Sequence, residues 1–421
     1  MDKRHQKRYQ NLVESHLKMN QKLSTASQAK PGTESSFAAT QAAWRFYAHE
    51  DTTLKRLSEP LLASSLEGVE SYCKDYALVV HDWSILNYNR HESKTDRKVL
   101  RRSNIQGYEL QTSLVLNDNN GLPLGVLAQN LTTQDGVLSS YQSEGVQPEL
   151  EHLQELAKRV QWLEQQPNSK PMVHIVDREG DGVEWLRACK DRLWLIRCRQ
   201  RSTVDYHGKA YKIQDLAAQL DAQPLARQVQ YQGKTAYQAI ADCEVTVTRP
   251  AQPKRQSALI KGEPLKARLV VSRLLDDQQN CLAQWYLLSN VEAVPADTLA
   301  LWYYWRWQIE CFFKLLKTQG LHLEDWQQAS GLAIAKRLLI ASQACVLVWQ
   351  IQQQTTAQAL ELQHFLVRLS GRQMKKKRPT TPSALLEGLW LFLTLMDTLD
   401  HYPLEQLLQF RQGVNAFWAG V

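Results

Sequence analysis

Tyr76-Ala77-Leu78-Val79-Val80-His81-Asp82 and Met172-Val173-His174-Ile175-Val176-Asp177 are two short apolar runs, and each stops on a carboxylate. Runs of this length, rich in β-branched residues, read as buried strands. Helical patterns lie between and after them, so the expected fold class is α/β, a mixed sheet flanked by helices. In such a sheet the side chains at strand ends project into the crevice where ligands bind. Asp82 and Asp177 are therefore candidate site residues, although each alone also suits a turn or a cap.

Working outward, Leu110 to Leu116 and Leu122 to Leu127 alternate around Asn117-Asp118-Asn119-Asn120-Gly121, a hairpin signal. Pro148 opens an amphipathic helix to about Gln166, with Leu150, Leu153, Leu156, Val160 and Leu163 on one stripe. A short helix is expected near Val183 to Cys189, then a strand from Leu193 to Arg197. Between 201 and 290 strands dominate, at Gln228 to Tyr231, Ala239 to Thr248, Ala267 to Leu274 and Gln284 to Leu288, which predicts an all-β insertion. Helices follow over 296–318, 334–354, 357–369 and 382–399. Residues 1–70 read as a small helical domain broken by Ala29-Lys30-Pro31-Gly32-Thr33. The expected units are then 1–70, a core in two parts at 71–200 and 291–330 around the 201–290 insertion, and a helical region at 331–421.

The charge balance is 50 Lys+Arg against 43 Asp+Glu, net +7, a mild excess that permits a polyanion partner without demanding one. Its placement says more. Arg90, Lys94, Arg97, Lys98, Arg101 and Arg102 crowd one segment, Lys375-Lys376-Lys377-Arg378 form a second cluster, and the N-terminus a third. Any one of these suits a solvated face, but three favour a polyanion. The seven cysteines are scattered without zinc spacing, which points to reduced thiols and a cytoplasmic location. No Gly-rich phosphate loop appears, and no apolar run reaches the roughly 20 residues of a membrane span.

The chemistry concentrates in Tyr303-Tyr304-Trp305-Arg306-Trp307-Gln308-Ile309-Glu310-Cys311-Phe312-Phe313-Lys314-Leu315-Leu316-Lys317. On one continuous helix Tyr303, Arg306, Glu310, Lys314 and Lys317 fall within roughly 80° of one another. Trp302, Trp305, Ile309, Phe312 and Leu316 take the opposite side. One carboxylate among cations suits a metal site that must also hold phosphate, while i,i+4 ion pairs on a solvated face are the plainer account. Asp82 and Asp177 tip the balance. Three carboxylates meeting in one crevice can hold two Mg2+ ions about 3.5–4 Å apart.

Tyr303, Arg306, Glu310 and Lys317 fill the pattern Tyr-x2-Arg-x3-Glu-x6-Lys, which resembles the YREK signature of the insertion-sequence-four family of DDE transposases. Asp177-Arg178-Glu179-Gly180-Asp181 looks like that family's second catalytic segment, and Val79-Val80-His81-Asp82 like its first. Trp83-Ser84 replaces the family's common Thr-Thr, and Cys311 an acid often found after the Glu. The resemblance implies an RNase H-like core with Asp82, Asp177 and Glu310 as catalytic metal ligands for two Mg2+, Mn2+ being able to substitute. It implies DNA contacts from Tyr303, Arg306, Lys314, Lys317 and Trp307. Trp285 matches a Trp that stacks on a flipped base, with a core role as the alternative. Arg197 matches a backbone-contacting Arg, with a plain surface role as the alternative, and Arg45 is assigned to the transposon end.

The implied activity is cut-and-paste transposition: nicking, hairpin formation, hairpin opening and strand transfer. Its partners are double-stranded DNA, both inverted-repeat ends and target, and a second copy of the chain on that DNA. No membrane is involved, and the place of action is the bacterial nucleoid. Two other readings stand beside it, a nuclease of the same core without strand transfer and a DNA-binding relic without catalysis.

Overall fold

The computed structural model describes residues 3–17, 41–43, 45–47, 49, 51–100, 104–251, 259–372 and 380–418. The predicted break at Pro31-Gly32, the bases Arg101 and Arg102, and the cluster from Lys375 to Arg378 lie outside the described residues.

Helices α1 (Lys3–Leu17) and α2 (Leu54–Tyr72) precede six strands. These are β1 (Ala77–Asn87), β2 (Lys98–Leu100), β3 (Ile105–Asn117), β4 (Pro123–Thr132), β5 (Val137–Ser139) and β6 (Val146–Gln147). Next come α3 (His152–Leu163), β7 (Met172–Val176), α4 (Val183–Ala188) and β8 (Leu193–Arg197). The insertion holds β9 (Thr203–Tyr206), β10 (Lys209–Lys212), α5 (Ile213–Ala217), β11 (Gln223–Tyr231), β12 (Lys234–Val247), β13 (Leu265–Leu275) and β14 (Cys281–Ser289). Helices α6 (Ala296–Trp305), α7 (Trp307–Lys317), α8 (Gly331–Gln353), α9 (Ala357–Leu369), α10 (Pro382–His401) and α11 (Leu404–Trp418) follow.

The strands join one sheet in the order β10-β9-β12-β13-β14-β8-β7-β1-β3-β4-β5-β6, with β11 on β12 and β2 on β3. Among the described residues only the β1/β7 and β7/β8 pairings are parallel. The order β4-β3-β1-β7-β8, antiparallel hairpin first and parallel strands after, is an RNase H-like α/β core. Its register starts from the hairpin turn, where the Asp118 carboxylate accepts the backbone N–H groups of Lys74, Asp75 and Tyr76 at 2.8 to 2.9 Å and fixes the entry into β1. Gly121 in that turn has φ +70°, and a Cβ there would meet the Trp305 ring at 2.3 Å, so both backbone and packing require glycine.

Alternation sends side chains of each strand to two faces. On the front, Leu78, Val80, Leu114, Val173, Ile175 and Leu195 pack under α6, α7 and α8, and the same core takes in Tyr9, Leu12, Phe46, Leu57 and Leu61 of the N-terminal region. On the back, Val176, Trp194 and Ile196 pack against Leu156 and Val160 of α3 and Trp185 and Leu186 of α4. Helix α8 is long and apolar enough to cross a membrane, but most of it is buried in this core.

Several expectations need correction. Asp82 does not end its strand: β1 runs on to Asn87. The crevice arises because parallel pairing with β7 stops at Val80↔Ile175, while β1 beyond it is paired only with β3. The helix expected from Pro148 begins at His152. The single helix over 296–318 is two, interrupted at Arg306. Backbone bonds from Arg306 N to Tyr303 O and from Ile309 N to Arg306 O, 3.1 and 3.2 Å, tighten the chain into i→i−3 turns there. The basic segment is partly internal: Lys94 is buried and donates to Trp326 O at 2.9 Å, Arg97 binds the carbonyls of Lys94 and Tyr88, and Lys98 pairs with Glu149. Arg90 alone of that cluster's described bases is exposed without such a bond. The expected all-β insertion also holds the short helix α5, and it continues the core sheet, because β14 pairs with β8 through Leu287↔Arg197, Leu288↔Ile196 and Ser289↔Leu195.

Candidate active site

Three elements deliver the three acids to the front face. Asp82 lies on β1 two residues past the last parallel pair, and Asp177 follows β7 directly. The Asp177 carboxylate accepts the Glu179 N–H at 2.8 Å and caps the short turn Arg178–Gly180, which holds its χ angles without using both oxygens. Glu310 sits in the first turn of α7; Ile309, Phe312 and Leu316 on another side of that helix are buried, which leaves Glu310 half-buried on the side where it meets Arg306.

Arg306 is the meeting point. Its Nη1 donates to Asp82 Oδ2 at 2.8 Å, and its Nη2 lies 3.7 Å from Glu310 Oε1. Burial opposes the guanidinium's charge, but the fields of Tyr303, Asp82, Asp177 and Glu310 outweigh it and raise its proton affinity; Asp82 and Glu310 are the two acids within ion-pair distance. Burial pushes the Asp82 carboxyl up to about 6; Arg306 and the Trp83 N–H pull it back, and the nearby charges of Glu310 and Asp177 push it up again. A carboxylate in this state is short of positive charge even with its arginine in place. Among the described residues no three His, Cys, Asp or Glu side chains are disposed, as they stand, to grip a metal ion. The oxygen-only donor set nonetheless fits a hard divalent cation such as Mg2+, provided Arg306 yields its hold on Asp82 and Glu310.

A family model described as the transposase DDE domain matches residues 74–349, from the entry of β1 into the C-terminal part of α8. The chain belongs to that family. No curated protein matches it. The transposase match takes in all three acids and the whole insertion, and leaves α1, α2 and α9 to α11 outside.

The remaining residues singled out in the transposase sequence divide into four groups. Arg197 and Trp285 share the front face with the acids, on β8 and β14. Arg197 is half-buried and near enough to Tyr303 and its neighbours to act on the phenol's charge, and Trp285 packs on Tyr231 at a ring distance of 6.1 Å. Trp307 is 54% exposed, and the exposed Lys314 places its Nζ 4.8 Å from that ring, so these two present a cation and an aromatic face to solvent. Tyr303 is buried, with Arg306 over its ring at 5.9 Å, and supports the guanidinium from below. Lys317 is turned inward, donating to Ile85 O at 2.6 Å and pairing with Glu324 at 3.2 Å. Arg45 is exposed in the N-terminal region and takes no part in the contacts that gather the acids.

Sequence reasoning missed two supports of the second acid. Asp181, whose side chain is fully buried, accepts from Arg199 N at 2.9 Å and pairs with Arg249 and Ser202, tying the turn after Asp177 to the insertion. His152 bridges Glu109 and Glu179. The acid-rich spelling Asp177-Arg178-Glu179-Gly180-Asp181 was a signal for the first, but nothing in the sequence linked it to Arg249 or marked His152.

Proposed function

We propose that the chain performs cut-and-paste transposition of an insertion sequence, as its likeness to the insertion-sequence-four family and to the transposase of transposon Tn-five suggests. The observation that carries this reading is the meeting of Asp82 and Glu310 at the Arg306 guanidinium, with Asp177 near enough for its charge to act on both Asp82 and Arg306. Two divalent ions held by these acids, Mg2+ with Mn2+ as substitute, would supply an activated water or 3′-hydroxyl and a stabilised leaving oxygen.

The chain's own residues do the rest. Arg306 exchanges carboxylate for phosphate when DNA arrives, because a guanidinium binds either in the same forked geometry. Lys314 and Trp307 hold the backbone and a base beside the cut, with Lys317 and Tyr303 fixing the helix that carries them. Arg197 and Trp285 extend the track along the sheet, with Trp285 as the stacking surface for a base drawn out of the duplex. Nicking, attack of the freed 3′-hydroxyl on the opposite strand, opening of the resulting hairpin and joining to target are all in-line displacements at phosphorus, so one set of acids serves each step. Two ends must be cut together, which calls for a dimer assembled on DNA, with Arg45 and the N-terminal region on the transposon end. The site of action is the cytoplasmic nucleoid.

The test is incubation of the full chain with the element's own flanking DNA and Mg2+, beside Glu310→Ala. Hairpin-ended product from the wild type alone supports the reading; equal cleavage by both removes Glu310 from the chemistry.

A further inference from the structure

The residue after the first acid and the residue two after the second meet at the same imidazole. His152, at the start of α3 on the back of the sheet, places its ring 4.5 Å from that of Trp83. Its Nε2 lies 2.9 Å from Glu109 on β3, and its Nδ1 lies 3.2 Å from Glu179. Trp83 in turn donates its N–H to Asp82 at 2.8 Å, and Glu179 donates its own to Asp177 at 2.8 Å. Each acid is thus one backbone hydrogen bond away from a residue that His152 grips.

We propose that His152 is a positioning residue that sets the spacing of Asp82 and Asp177 by clamping the chain beside each. The proposal rests on reading those two acids as ligands of a divalent cation. Parallel pairing cannot do this work, since the β1/β7 ladder ends at Val80↔Ile175, before either acid. Beyond that point β3 is the strand partner of β1, and β7 no longer pairs with it on the other side. The clamp closes that gap: Glu109 stands opposite Ile85 on β3, on the face that also carries Trp83, so His152 ties the free stretch of β1 and its partner strand to the 178–180 turn. Hydrogen bonds to Glu109 and Glu179 push the imidazole up to about 10, so it is an imidazolium at neutral pH and both arms are charge-assisted. Outer residues of this kind tune metal affinity by fixing where the ligands stand.

The test titrates Mn2+ alone into the full chain, without DNA, and reads free Mn2+ by electron paramagnetic resonance. His152→Gln and Glu109→Gln are each expected to weaken Mn2+ binding by about tenfold. The double variant should bind no more weakly than the worse single one, since both changes cut one clamp. Leu156→Ala, a loss of packing on the same helix, should retain wild-type affinity at a comparable loss of thermal stability. Wild-type Mn2+ affinity in folded His152→Gln, or an equal loss in Leu156→Ala, overturns the clamp. Asp177→Asn separates the two ideas. If it abolishes Mn2+ binding while His152→Gln does not alter it, the clamp alone fails; if it leaves binding intact, the ligand reading falls and takes the clamp with it.

Discussion

His81 and Asp82 are consecutive residues of β1, yet they belong to opposite faces of the sheet with opposite electrostatic designs. Behind the sheet, His81 is fully enclosed and joined at 2.9 Å to Ser113 and to His174, which reaches Glu164 at 3.0 Å. Beside it Arg159 and Glu155, both buried, pair at 2.8 Å, and Asn130 and Tyr141 donate to Glu155. In front, Asp82 and Glu310 share one arginine with Asp177 close by, and all three acids remain partly open to solvent. The back face pairs its charges and is built to stay; the front face gathers like charges and waits for a partner. One strand serves both because successive side chains point opposite ways.

The sharpest way to break this contrast is Glu310→Ala. Nicking of plasmid DNA in Mg2+ should fall on the order of 10^3-fold or more, the scale of losing a charge-holding group from an active site. Its unfolding free energy in urea should stay within about 0.5 kcal/mol of wild type, because Glu310 is 36% exposed. Glu155→Gln should do the reverse, leaving Arg159 buried without a counter-charge at a cost of about 3–5 kcal/mol in the same urea melt. A loss below about 1 kcal/mol would end the claim that the back face is the stabilising half.

Acid separates the two faces by sign. Asp82 titrates near 6 when folded against 3.8 for a free side chain, so the native state takes up its proton first and gains stability as pH falls from 6 to 4. Asp82→Asn should therefore exceed wild type by at most about 3 kcal/mol above pH 6, with the gap closing below pH 4. His81, held well below 6.5 by burial and by the neighbouring His174 and Arg159, behaves oppositely. Below pH 6.5 the unfolded chain binds a proton that the native state refuses, so His81→Asn should flatten the loss of stability between pH 6.5 and 5. Denaturation curves taken along pH check both signs. The smallest effect belongs to Lys314→Ala, which should weaken binding to random-sequence duplex a few-fold and lower the salt slope by about one.

Much of this was legible in the chain. Apolar runs 77–80 and 172–176 marked the central strands, and the Tyr303, Arg306, Glu310, Lys317 spacing marked the helix that crosses them. What stayed hidden depends on depth and on distant partners. Lys94 looks like a surface cation until the fold closes Trp326 over it, and Lys317 looks like a DNA contact until β1 offers the Ile85 carbonyl. The kink at Arg306 leaves no mark in a periodicity that continues through it. His152 joins residues from three separate stretches, which no spacing rule connects.

The seam between β8 and β14 carries a last implication. Because backbone hydrogen bonds stitch the insertion to the core there, no hinge separates Trp285 from Asp177. Two strand steps, about 10 Å, lie between their rows, and that width is set by the ladder itself. Whatever rests against the indole is thus measured off from the acids by a ruler of fixed length, which only peeling the sheet apart could change.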